Sequence, residues 1–179
     1  MQLKVENKLI PMKTLIDEKD LKIIKSLQEN VMCVPIVKLC KEFGINVYMT
    51  NTETGISGAI IEKDNIYTIY VNMYEPRTRQ RFTVAHELSH FLLHKDKIQG
   101  NLTDMVSTIN TKIMYRSRLS NGIEAKANQL ASEILMPNTL IDKYLENGVN
   151  TYKELADRLE VSESALRKRL KNLHNEYLL

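Results

Sequence analysis

Arg79-Gln80-Arg81-Phe82-Thr83-Val84-Ala85-His86-Glu87-Leu88-Ser89-His90-Phe91-Leu92-Leu93-His94 places three of the chain's four histidines within nine residues of a mostly apolar run. Pro76 just before it, and the absence of breakers within it, predict one long helix from Arg77 to His94. On that helix His86 and His90 stand one turn apart, about 40° around and about 6 Å along the axis. Both imidazoles then reach a single ion at the ~2.0 Å distance zinc prefers. Glu87 is offset from both, where its carboxylate can take a proton from a metal-bound water as general base. The competing reading is a set of core histidines satisfied by ordinary hydrogen bonds.

His-Glu-x-x-His is the motif of zinc peptidases, and a catalytic zinc takes three protein ligands and leaves the fourth position to water. The third ligand has to come from elsewhere. His94 lies eight residues from His86, about 12 Å along a continuous helix, too far for both to bind one ion. It is expected in a supporting position. Asp96 stands where some peptidases place a third ligand after a helix-breaking glycine, but Leu93 takes that glycine's place here. Glu124 opens a second helix that runs to Met136 and stops at Pro137. Ala127 and Ala131 at i, i+4 let it approach the histidine helix closely, and Asn128 is placed to accept a free ring N–H of His86 or His90. The residues alone leave Glu124 either a ligand or a solvated carboxylate near a helix N-terminus, with Glu133 as a competitor.

The segment from Arg79 to His94, together with Glu124 to Pro137 in that order, resembles the ImmA/IrrE family of bacterial metallopeptidases over roughly residues 72–173. The resemblance implies one zinc per chain held by His86, His90 and Glu124, with Glu87 as the catalytic base. It also implies a gluzincin-like arrangement, in which a second helix supplies the glutamate ligand. Lys126 departs from the pattern, since the family often has an acidic residue there. The implied reaction is cleavage of a helix-turn-helix transcriptional repressor, releasing genes of a mobile element or a stress response. Zinc would stabilise the oxyanion, and a second donor is expected, with Tyr115, Tyr74 and Arg118 as candidates.

Around this core the chain reads as α+β. Helices are predicted over Asp17–Asn30 and Pro35–Phe43, the second ended by Gly44. A change to period two then predicts strands at Ile45–Met49, Ile56–Ile61 and Ile66–Val71. The turn residues of Asn51–Gly55 and Lys63-Asp64-Asn65 suggest a three-stranded antiparallel meander. Lys95 to Gly122 lacks a sustained period and reads as loop, a possible gate to the cleft. Shorter helices follow at Asn138–Glu146, Thr151–Leu159 and Glu163–Leu173. The organisation expected is a peptidase core over residues 1–137 and a C-terminal helical subdomain over 138–179 packed on it.

Of 179 residues, 43% are hydrophobic and 26% charged, which excludes disorder and fibre. The 25 basic and 22 acidic residues give a net charge of +3, too balanced to announce a nucleic-acid or membrane binder. With no long apolar run, a cytoplasmic protein is expected. Cys33 and Cys40 read as reduced, packed thiols. Arg77, Arg79 and Arg81 read as a solvated or capping face, with contact to an acidic stretch of a partner protein as the lesser reading, and the scattered tyrosines and methionines as core and surface fill. One different class of function is carried by Thr151 to Leu170, a helix-turn-helix pattern with Ser162 as N-cap and Arg167, Lys168, Arg169 and Lys171 on or near its second helix. Glu160 in the turn and Glu163 at the start of that helix weaken a DNA-binding reading by repelling phosphates. Packing or substrate docking is the expected role of that segment. A protein that binds a repressor without cutting it is the remaining alternative.

Overall fold

The computed structural model describes residues 11–51, 56–95 and 121–172. A single turn, α1 (Met12–Leu15), leads into α2 (Glu18–Gln28), whose first turn carries Glu18 and Asp20, acidic residues that a helix N-terminus favours. Helix α3 (Ile36–Glu42) ends as expected, with Gly44 at φ +70, the left-handed conformation that closes a helix without a side-chain clash.

Three strands follow: β1 (Ile45–Thr50), β2 (Gly58–Lys63) and β3 (Ile66–Asn72). β2 and β3 form the expected antiparallel hairpin. Asp64 and Asn65 between them have φ of +52 and +62, the mirror-image turn that matches strand twist. The sheet as a whole is mixed, however, and this corrects the antiparallel expectation. β1 pairs with β3 in parallel, from Ile45 opposite Tyr67 to Thr50 opposite Asn72, giving the order β1-β3-β2. The antiparallel reading assumed that strands adjacent in sequence pair. β2 instead lies beyond β3, about two strand spacings (~9.6 Å) from β1. That order places β3 in the centre, where Ile69 and Val71 are buried. Residues 52–55, most of the turn expected there, lie outside the described residues.

Helix α4 (Arg77–His94) has the predicted ends. Helix α5 (Asn121–Leu135) begins three residues before the predicted Glu124, and α6 (Asn138–Glu146) follows Pro137. Helix α7 (Tyr152–Leu159) is capped by Thr151, whose Oγ1 accepts the Glu154 N–H. Helix α8 (Glu163–Asn172) is capped by Ser162, whose Oγ accepts the Ala165 N–H at 3.2 Å.

Helix α4 lies between the sheet and α5. Val84, Ala85, Leu88 and Phe91 share one hydrophobic cluster with Ile60, Ile69 and Val71 of the sheet and with Leu130, Ala131 and Ile134 of α5. Each large side chain buried there contributes roughly 1.5–3 kcal/mol. The cluster continues without a break through Leu140, Leu155 and Leu166 to Leu170. Among the described residues, no helix is long and apolar enough to cross a membrane. Both cysteines are free thiols. Burial pushes the Cys40 thiol up to about 12.

Candidate metal centre

Two close approaches set the site. Gly58 on β2 lets the strand come so near α4 that a β-carbon there would stand 2.5 Å from Thr83 Cγ2 and from the Tyr70 carbonyl oxygen. On the other side of α4, Ala127 and Ala131 are fully buried, as their small size at i, i+4 predicted, so α5 can lie close. Held between the two, α4 presents His86 and His90 towards the first turn of α5, where Glu124 stands.

The three side chains converge. His86 Nε2 and His90 Nε2 are 3.0 Å apart, Glu124 Oε2 is 3.3 Å from His86 Nε2, and Glu124 Oε1 is 3.2 Å from His90 Nε2. A tetrahedral ion with ligands at about 2.0 Å needs donors separated by ~3.3 Å. The triangle therefore has the dimensions of one face of such a site, and the donor set of two imidazoles and a carboxylate suits zinc. Among the described residues this is the one group of three or more His, Cys, Asp or Glu side chains placed to hold a metal. The ring of Phe82 stacks against His86 at 6.3 Å between centroids, and the two histidine rings meet edge to face at 4.6 Å. His86 Nδ1 is buried and has no hydrogen-bond partner among the described residues.

Glu87 is 2% exposed, and its Oε2 accepts the backbone N–H of Ile60 at 3.0 Å. That donor lies on the outer side of β2 and was not visible in the sequence, because a backbone N–H has no residue signature. The glycine two positions earlier was the available signal, since a glycine within a strand marks a close approach.

The other candidates are placed as follows. Glu133 is nine residues beyond Glu124, on the opposite side of α5. It accepts from Gln129 Nε2 at 2.9 Å, with Arg169 Nη1 at 4.0 Å, and is not among the converging donors. His94 lies one turn past His90, with ring centroids 6.2 Å apart. Asn128 is half-buried and makes no hydrogen bond to either ring among the described residues. Tyr74 is 72% exposed in the turn before α4, and its N–H donates to Asn72 Oδ1. His86 lies a further ~13 Å along the helix from its start, so Tyr74 is not brought to the donors. Asp96, Tyr115, Arg118 and residues 96–120 of the loop expected from Lys95 to Gly122 lie outside the described residues, and its last two residues, Asn121 and Gly122, belong to α5 instead.

The arginines before the motif are engaged. Arg77 Nη2 lies 3.0 Å from Glu160 Oε2, Arg81 donates to the carbonyls of Val34 and Glu160, and Arg79 donates to Ser57 Oγ. Of the four C-terminal cations, Arg169 is buried, donating to Met136 O and Asn138 Oδ1. Arg167 is tied to Glu163 at 2.7 Å and lies over the Tyr152 ring, while Lys168 and Lys171 are exposed.

Residues 40–171 match the family described as IrrE N-terminal-like domain, a peptidase family. The chain is 37% identical over 111 residues to the radiation response metalloprotease IrrE of Deinococcus radiodurans, covering 60% of this chain and 31% of that protein. It is 27% identical over 104 residues to the metallopeptidase ImmA of Bacillus subtilis, covering 55% and 53% respectively. The chain thus spans about a third to a half of the length of these relatives. Among solved structures, a Mycobacterium tuberculosis transcriptional regulator shares the fold with a TM-score of 0.57 at 18% identity, over 91% of this chain and 49% of that one.

Proposed function

The chain belongs to the IrrE N-terminal-like domain family, and from that premise we propose that it is a zinc-dependent endopeptidase that cleaves a helix-turn-helix transcriptional repressor in the cytoplasm and so releases the genes under it. The convergence of His86, His90 and Glu124 beside the buried Glu87 carries this reading. The relatives named above, a metalloprotease and a metallopeptidase, support the reaction class. The substrate class rests on the family resemblance of the motif segments.

His86 Nε2, His90 Nε2 and the Glu124 carboxylate are the atoms that hold the ion in this reading. Bound there, a divalent ion supplies Lewis acidity, polarising the scissile carbonyl and lowering the pKa of water towards ~7. The rest is done by the chain. The Ile60 N–H fixes one oxygen of the Glu87 carboxylate, so the side chain is oriented before substrate arrives. Glu87 then takes a proton from the attacking water and delivers it to the leaving amine. Packing of β2 against α4 keeps solvent from that carboxylate, which is 2% exposed. The C-terminal helices are read as packed on the peptidase core, with Arg169 turned inward to Met136 and Asn138.

The test is cleavage of a purified cognate repressor by the metal-loaded protein. Glu87→Gln, which keeps the shape but not the base, should lower the rate by about 10²–10⁴-fold while leaving metal content unchanged. Cleavage at the wild-type rate by this variant would sink the mechanism. A salt-dependent mobility shift on the neighbouring promoter that survives chelation would favour the DNA-binding alternative instead.

A further inference from the structure

Strand β1 is an edge of the sheet, and among the described residues no strand pairs with its outer side. The Met73 N–H, donating to the Thr50 carbonyl, is the last rung of its ladder with β3, and beyond that ladder no backbone hydrogen bond reaches β1 among the described residues. The remaining outward N–H and C=O groups of Ile45–Thr50 are open to another strand. Exposed edges are usually guarded by lysine, proline or a bulge. β1 reads Ile-Asn-Val-Tyr-Met-Thr and has neither lysine nor proline. Instead, Tyr48 and Met49 are 56% and 60% exposed on opposite faces of the strand, and Val37, which shares a groove with Met49, is 44% exposed.

A groove of about 270 Å³ runs along this edge between α3, β1 and α4. Its floor is apolar, built by Pro35, Val37, Val47, Met49 and Val84, and its rim is cationic, with Lys38, Arg77 and Arg81. One carboxylate, Glu160, answers the two guanidiniums, and Lys38 forms no ion pair among the described residues, so the rim keeps a positive excess. The groove is separate from the metal centre. Arg77, Gln80, Arg81 and Val84 make one stripe of α4 at i, i+3, i+4 and i+7, and His90, nine residues after Arg81, faces the opposite way.

We propose that β1 is a docking edge for a protein partner. An extended segment with β-branched residues on one side and acidic residues at its ends adds to the sheet beside β1. Its main chain pairs with the open N–H and C=O groups, its apolar side chains enter the groove, and its carboxylates meet the cationic rim. This goes beyond the peptidase reading, because its test reads binding and needs neither metal nor cleavage.

The probe is a fluorescent peptide, Asp-Val-Thr-Val-Thr-Val-Asp, titrated against the full chain by anisotropy at low salt. Saturable one-to-one binding is expected, weakened about tenfold or more by Val37→Asp with Met49→Asp. Both positions are exposed, so an unchanged melting temperature shows that the fold is kept. A peptide with lysine in place of its aspartates, and one N-methylated at alternate amides, should each bind about tenfold more weakly or worse. The proposal is overturned by equal binding of the lysine peptide, by indifference to the double substitution, or by no binding up to ~1 mM. A concentration-dependent dimer that the double substitution dissolves, seen by sedimentation without peptide, would overturn it in favour of a second copy of this chain.

Discussion

Replacing Gly58 by alanine should loosen the site without touching any side chain in it. The new β-carbon would stand 2.5 Å from Thr83 Cγ2 and 2.5 Å from the Tyr70 carbonyl oxygen, about 1 Å inside the ~3.5 Å at which such atoms pack. Neither neighbour can turn aside. Tyr70 belongs to β3, paired with β2, and Thr83 is a buried, β-branched residue within α4. The backbone of Gly58 has no positive φ, so the cost is steric alone. β2 must therefore move off α4, at an overpacking cost of ~1–3 kcal/mol, which for a chain of this size lowers the melting temperature by roughly 2–12 °C. Ile60 lies two residues along on the same side of the strand, so its N–H leaves Glu87 Oε2, now 3.0 Å away. A hydrogen bond to a charged group is worth ~1.5–3 kcal/mol, so kcat/KM measured well below the melting transition should fall by about tenfold or more. Metal content should stay, because all three donors lie on α4 and α5. Adding Thr83→Ser removes one of the two clashing atoms and should restore part of the melting temperature. Scanning calorimetry decides it: an unchanged melting temperature for Gly58→Ala, or a double variant no better than the single, refutes the reasoning.

Glu124→Ala should reduce zinc from about one per chain, read by elemental mass spectrometry, while His94→Ala should not; the reverse order would transfer the ligand role. Burial raises the Cys40 thiol from the usual 9.0 to about 12, which favours the neutral form in the folded state. The resulting stability is complete below pH 9 and is lost as pH climbs towards 12. Urea midpoints should fall more between pH 8 and 10.5 for wild type than for Cys40→Ala, and equal falls would count against the burial argument. Glu160 holds φ +52, a conformation glycine adopts freely, yet its carboxylate meets Arg77 and Arg81. Glu160→Ala keeps the strain and loses the ion pairs, for ~1–3 kcal/mol, whereas Glu160→Gly relieves the strain and should cost about 1 kcal/mol less. Urea titration that finds glycine the worse of the two would refute this.

What could be read in the sequence follows the range of the interaction. The ends of α4 are local matters, set by Pro76 before Arg77 and by the apolar run, and the structure places them as predicted. The Asp64-Asn65 turn is equally local, and it forms with both residues at positive φ. The order of the strands is not local. Nothing in Ile45–Thr50 says that its partner is β3 rather than β2, because the pairing joins residues some twenty positions apart. The choice between Glu124 and Glu133 lies between these cases. Helical phase shows that the two cannot share a face, but only the packing of Ala127 and Ala131 against α4 says which face is turned to the histidines. The amide that holds Glu87 belongs to the backbone of β2, so no side chain of Ile60 could have announced it.

The C-terminal helices show the same division. Two short helices joined by a left-handed residue form a local pattern that many unrelated units share, and the sequence shows it plainly from Thr151 to Leu170. What such a unit does depends on where its charges point. Here Glu160, in the position that glycine often takes, accepts Arg77 and Arg81 of α4. Arg169 is turned inward to Met136 and Asn138, and Arg167 is spent on Glu163 and Tyr152. A phosphate-binding helix needs its cations outward and unengaged, and α8 offers Lys168 and Lys171 alone. The acidic turn residue that looks like a defect in a DNA-reading motif is, in this fold, the fastening between the helix pair and the helix that carries His86 and His90.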